Sequence, residues 1–169
     1  MVTGKTTIKD IDWLLSAESC KDTLVVFSKN RKRGYFNRFT GEAVIPEQYT
    51  HAWVFSEGLA AVVSNEKVGF IDRQGKTVID FHFPYLKDNA KSVAFVFRTG
   101  YSSIYDVSGK CGIIDKKGQW VLEPAYDCIH TPQYGKRIFD VGKFSGVLDD
   151  SLQILLSPEY KYIQLLEHY

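Results

Sequence analysis

The stretch GFIDRQGKTVI, residues 69–79, decides the fold, because its pattern returns on both sides at a nearly fixed interval. Gly34 opens GYFNRFTGEAVIPEQY, Gly112 opens GIIDKKGQWVLEPAY and Gly146 opens GVLDDSLQILLSPEY, so the opening glycines stand 35, 43 and 34 residues apart. A period of this length marks a repeat array. Within the unit, apolar and aromatic residues run up to an Asp or Asn; a short polar run ending in Gly follows, and a second β-rich run closes the pattern. That is a β-hairpin, with Phe70 and Ile71, the turn Asp72–Gly75, then Thr77, Val78 and Ile79. Asp followed three residues later by Gly suits a type I turn closed by a residue in the left-handed region. A residue with a Cβ loses about 1 kcal/mol there. The third copy repeats the turn as Asp115–Gly118, and the first stretches it by one residue, Asn37–Gly41. The fourth has Leu152 where Gly is expected, which predicts a looser turn or one of another type.

Past the hairpin each copy shows a Pro and a Tyr: Pro46 and Tyr49, Pro124 and Tyr126, Pro158 and Tyr160, shifted in the second copy to Pro84 and Tyr85. Pro removes a ladder donor and ends a strand, while Tyr offers a large face to bury and a hydroxyl for a backbone group. A third strand follows, at Leu59–Val63, Ile104–Val107 and Ile138–Val141, and the match of IYDVSGKCG with IFDVGKFSG sets the alignment. From Tyr49 to Ala61 and from Tyr126 to Ile138 is 12 residues, but from Tyr85 to Ile104 is 19, so copy two carries an insertion between Lys87 and Tyr101.

Gly69, Phe70, Ile71, Asp72, Gly75, Val78 and Ile79, with Phe55, Ser56, Glu57, Gly58, Leu59 and Ala60 one copy earlier, carry a resemblance. Over residues 24–161 the chain resembles the bacterial WG-repeat proteins, and FSEGLA is the most specific part of the match. The Trp of the Trp-Gly pair is replaced by Arg33, Val68, Cys111 and Ser145. The family is defined by its repeat and not by a reaction, so the resemblance implies binding or scaffolding more than catalysis.

The pattern predicts an all-β chain of about four hairpin repeats. The favoured form is a twisted open solenoid-like array, with a closed propeller or barrel as the alternative. One repeat domain, 1–169, is expected, with an N-terminal cap and partial repeat at 1–28 and repeats at 29–65, 66–109, 110–142 and 143–169. Residues 7–22 read as a diverged cap that includes a short helix, and residues 160–169 as the opposite cap. A chain of 169 residues is long enough to bury a sizeable core, and 10 Tyr with 11 Phe fit aromatic packing in a β protein. A net charge of +1 gives no bulk reason to expect nucleic acid or an anionic membrane. The three cysteines and the lack of a secretory pattern at the start predict a cytoplasmic chain.

Chemistry is sparse. GFIDRQGKT separates Gly69 and Gly75 by five residues where a P-loop needs four, and it leads into a strand and not a helix. Asp72, Asp115 and Asp149 recur at one point of the hairpin, which makes turn formation their expected role. His51, His82, His130 and His168 lack short metal-ligand spacings, and Cys128 with His130 forms a pair on one strand face for which no orienting acid is legible. Neither a metal nor a cofactor is expected.

Lys29, Arg31, Lys32, Arg33 and Arg38 concentrate charge at the start of copy one, and Arg98 with Tyr101 sits by the insertion. Arg31, Lys32, Arg33, Arg38, Arg98 and Tyr101 are therefore the predicted partner-binding residues. Together these observations predict a non-catalytic module that binds a protein, with an immunity-type inhibitor of a bacterial toxin as the specific form. The alternatives are binding of a glycan or cell-envelope ligand, and a hydrolase built on carboxylates such as Asp149 and Asp150.

Overall fold

The computed structural model describes residues 12–14, 22–86 and 95–166. Fifteen strands and no helix occur among the described residues, arranged as four small antiparallel sheets, none of which closes into a barrel. The first sheet has the order β1 (Trp13–Leu14), β2 (Leu24–Lys29), β3 (Lys32–Asn37), β4 (Ala43–Tyr49). The second runs β5 (His51–Ala52), β6 (Ala60–Ser64), β7 (Lys67–Ile71), β8 (Thr77–Pro84). The third runs β9 (Ser102–Tyr105), β10 (Cys111–Ile114), β11 (Trp120–Tyr126), and the fourth β12 (Cys128–Ile129), β13 (Lys136–Val141), β14 (Phe144–Asp149), β15 (Ile154–Tyr160). Residues 1–82 and 83–169 form two compact units.

The sheet is offset from the repeat seen in sequence. The third strand of each copy pairs with the opening strand of the next hairpin, as β6 does with β7 in the register Val62↔Gly69. Each repeat read from glycine to glycine thus ends in the sheet of the following one. The two-residue strands β1, β5 and β12 carry no alternation long enough to read, which is why three strands per copy were expected and four per sheet are found in three sheets.

The turns follow their chemistry. Asp72 Oδ1 accepts the backbone N–H groups of Gln74 and Lys76, the Gly75 N–H donates to the Asp72 carbonyl, and Gly75 has φ +82°. Asp115 and Gly118 repeat the arrangement. In FSEGLA, Glu57 and Gly58 both have positive φ, and Ser56 and Leu59 exchange two backbone hydrogen bonds, as a two-residue type I′ hairpin requires. Thr99–Gly100 and Tyr134–Gly135 form the equivalent tips.

Four expectations are corrected. The fourth turn is neither looser nor of another type: Leu152 itself takes φ +62°, its N–H donates to the Asp149 carbonyl, and Asp149 Oδ1 accepts from Gln153 N. The flanking ladder holds the turn geometry against the cost of a Cβ. Leu152→Gly is therefore expected to stabilise the chain by about 0.5–1 kcal/mol, raising the thermal midpoint by roughly 2–4 °C in a melt followed by circular dichroism. Second, the aromatic position of copy two is held by Phe83 and not Tyr85, because Phe83 lies 14 residues after its glycine, as Tyr126 and Tyr160 do. Third, the cap expected over 7–22 contributes a strand, Trp13–Leu14, paired with Ser28 and Phe27, where no strand was expected; the short helix expected in it falls on 7–11 and 15–21, outside the described residues. Fourth, Phe95 and Phe97 are buried as the alternation requires but lie in no strand, and Phe95 N–H donates to the Ser103 carbonyl. Val93 and most of the insertion, 87–94, fall outside the described residues.

In the N-terminal unit one face of the first sheet, Leu24, Val26, Tyr35, Ile45 and Tyr49, packs against Ala52, Phe55, Ala60, Val62 and Ile71 of the next sheet and its inbound loop. Tyr35 is fully buried, its ring 4.8 Å from that of Phe55, and its hydroxyl donates to the Trp53 carbonyl at 2.7 Å. Within this unit the face of the first sheet is thus buried under the second.

Candidate functional site

The fourth sheet has the same face with no further sheet of the described residues over it. Val147 pairs with Leu156, and Ser145 with Tyr160, in the register by which Tyr35 pairs with Ile45, and Arg33 with Tyr49, in the first sheet. Ile45 is 1% exposed and Tyr49 7%, whereas Leu156 is 42% and Tyr160 48%. Position alone does not explain the contrast. Val44, Val78, Val121 and Leu155, one residue earlier on each outer strand, are exposed in all four sheets because they point away from the covered face. The segment 161–166 lies partly across the fourth sheet and leaves a groove of about 400 Å³ lined by Tyr134, Lys136, Leu156, Ile163 and Leu166.

Beside that groove, on the same face, lie Cys128, His130 and Asp140. Cys128 stands opposite Asp140 in the register of β12 with β13, and His130, just past the end of β12, donates its backbone N–H to the Ile138 carbonyl, so the extended chain sets all three on one side. His130 Nε2 lies 2.7 Å from Asp140 Oδ2, and Ser145 Oγ donates to Asp140 Oδ1 at 2.7 Å. The orienting acid that sequence reasoning did not find is therefore Asp140. It is 10 residues from His130 and is brought there by strand pairing alone. Hydrogen bonding to Cys128 and, against the cost of burial, to Asp140 pushes the His130 pKa up to about 9, which favours the cationic ring at neutral pH. Cys111 is fully buried, and desolvation pushes its thiol up to about 12, so it stays protonated and inert.

The predicted partner-binding residues are placed as follows. Arg31 and Lys32 are exposed at the tip between β2 and β3, whereas Arg38 lies past the other end of β3, roughly 20 Å along an extended six-residue strand. Arg33 is half-buried, and its Nη1 donates to the Ala52 carbonyl at 3.4 Å, so its charge serves the packing of two sheets. Arg38 sits over the Phe39 ring at 5.6 Å. In the C-terminal unit Arg98 and Tyr101 close one hairpin tip, with Arg98 exposed and Tyr101 half-buried. Arg137, which the sequence reading passed over, is buried and donates from Nη2 to the Arg98 carbonyl and to Thr99 Oγ1, holding that tip in place.

The sequence profile of a family described as WG containing repeat matches residues 34–67, 69–100 and 112–136. No curated protein matches. Among solved structures the chain is similar to BamB from Moraxella catarrhalis, with TM-score 0.55 and 14% identity, covering 79% of this chain and 45% of that one. Two others are the WD40 beta propeller domain of Doa1, with TM-score 0.44 and 16% identity over 82% of this chain and 52% of that one, and a fragment of HIRA, with 0.39 and 10% over 79% and 43%. The chain spans about half the length of these structures, and at such identities the likeness is one of fold.

Proposed function

This chain belongs to the WG containing repeat family, and from that premise we propose that it is a non-catalytic module that binds a protein on the uncovered face of its fourth sheet. The contrast between Ile45 and Leu156 carries the reading: an apolar position that is buried under a neighbouring sheet in the first sheet is exposed in the fourth. The repeat itself indicates what fits there. In the first sheet this face is covered by small and branched apolar residues of a β-sheet, Ala60, Val62 and Ile71, with Phe55 inserted. The partner is accordingly a protein that presents an apolar β surface. Of the carboxylates considered for a hydrolase, Asp149 accepts the Gln153 N–H within its own turn. That favours binding over catalysis.

The finer form of the reading is an immunity-type inhibitor that covers the active site of a toxin, and it rests on the divergent surface that the repeats carry. A second docking surface is proposed at the exposed cations Arg31 and Lys32 of the N-terminal unit, which would meet an acidic protein surface, and a separate one at Arg98 in the C-terminal unit.

A photo-crosslinking residue in place of Leu156, in the full chain expressed in its source cells, tests the main reading. One heterologous protein should be captured from position 156 and not from the still more exposed Val107. With that protein purified, Leu156→Lys should weaken binding about 30-fold, the scale of a hot-spot residue. Crosslinks only between copies of this chain, or an unchanged affinity in the variant, would overturn it.

A further inference from the structure

We propose that Cys128, His130 and Asp140 form a zinc-binding site on the exposed face of the fourth sheet. One ligand atom from each, the Cys128 sulfur, a His130 ring nitrogen and an Asp140 oxygen, lies within 4.8 Å of the other two. Thiolate, imidazole and carboxylate together are a donor set that suits zinc, and neither magnesium nor calcium takes a thiolate readily. Zinc bonds of about 2.0–2.3 Å at tetrahedral angles put ligand atoms roughly 3.3–3.6 Å apart. The three donors therefore need only side-chain rotation to close on an ion: His130 and Asp140 must part from 2.7 Å by roughly half an ångström, and Cys128 must turn inward.

The surroundings fit the assignment. Backbone pairing of β12 with β13 fixes the ligands' Cα positions, so ordering the site costs only side-chain freedom. Ser145, opposite Asp140 on β14, holds the carboxylate through its second oxygen, the outer-shell support that metal-bound carboxylates have. The His130 and Asp140 side chains are 49% and 31% exposed, which leaves an ion a direct path from solvent. Cys128 is in no disulfide. On binding, the Cys128 thiol and the His130 imidazolium each lose a proton to solvent, and three protein ligands leave the fourth position to water. The inference is independent of the docking reading, because it needs neither the groove nor a partner.

The test uses the full chain, reduced, with zinc titrated against a chromophoric chelator and cobalt(II) as the spectroscopic substitute. One equivalent of zinc per chain is expected, and cobalt should show a thiolate-to-metal charge-transfer band. Cys128→Ser, which preserves size, should abolish the band while leaving the far-ultraviolet circular dichroism unchanged. Ser145→Ala should weaken zinc about tenfold. Cys111→Ser should keep the band, since that thiol is buried away from solvent. Binding of much less than one equivalent, or a band that survives Cys128→Ser, would overturn the proposal and leave His130 and Asp140 as a plain ion pair.

Discussion

Tyr35→Ala is expected to destabilise the N-terminal unit by about 4 kcal/mol, read from denaturant unfolding. The ring is fully buried between two sheets, stands 4.8 Å from Phe55, and sends its hydroxyl to the Trp53 carbonyl. Truncation loses the transfer free energy of a large side chain and leaves a cavity that strands on both sides cannot close, because each is held by its own ladder. Tyr35→Phe separates the two contributions. It keeps the ring and removes the part-buried hydrogen bond to the Trp53 carbonyl, at a cost of roughly 1 kcal/mol. Amides of the first and second sheets should lose hydrogen-exchange protection together in the alanine variant, since the cluster around Tyr35 is drawn from both. A loss below about 1 kcal/mol in Tyr35→Ala would mean that this face is not the core of the unit.

Gly112→Ala is expected to cost about 3 kcal/mol, although it adds one methyl group. Conformational freedom is not the reason, for Gly112 is absent from the positions with positive φ. Space is the reason: a Cβ would stand 2.6 Å from the Leu122 carbonyl oxygen and 2.8 Å from the Pro124 nitrogen. Both are backbone atoms of the paired strand, at a register shift between β10 and β11, and neither can rotate away. A Cβ at Gly34 would stand 2.5 Å from the Ile45 carbonyl oxygen, one at Gly146 2.6 Å from that of Leu156 and one at Gly69 2.9 Å from that of Ile79, so every repeat uses its glycine in the same way. Gly58→Ala is the control. It has φ +88° and open space around it, so the variant bears only conformational strain of about 1–2 kcal/mol. Equal losses at the two positions in thermal melts would rule out close strand approach as the basis of the repeat glycine.

That comparison shows how far the sequence could be read. Gly34, Gly69, Gly112 and Gly146 marked the period without revealing its cause, since a glycine that admits a neighbouring backbone looks in sequence like one that turns a corner. Asp72 and Asp115 were legible because an Asx turn is made from residues two to four apart. Leu152 was misread because local chemistry argued against a left-handed leucine, while the ladder of β14 and β15 imposed one. Arg33 looked like part of a charged surface and is partly folded under, held by a carbonyl 19 residues away.

By itself the sequence determined the class of fold, the repeat length, the hairpin turns and the family, all of which depend on interactions within one copy of the pattern. Tertiary structure alone decided three things: the pairing of each copy's last strand into the next sheet, the face left open at Leu156 and Tyr160, and the meeting of Cys128, His130 and Asp140. The physical reason is range. Alternation and turn chemistry act over two to five residues and leave a signature in the chain. Which strand lies beside which, and which face remains uncovered, follow from strand pairing and apolar burial between separate strands and sheets, and no local pattern records them.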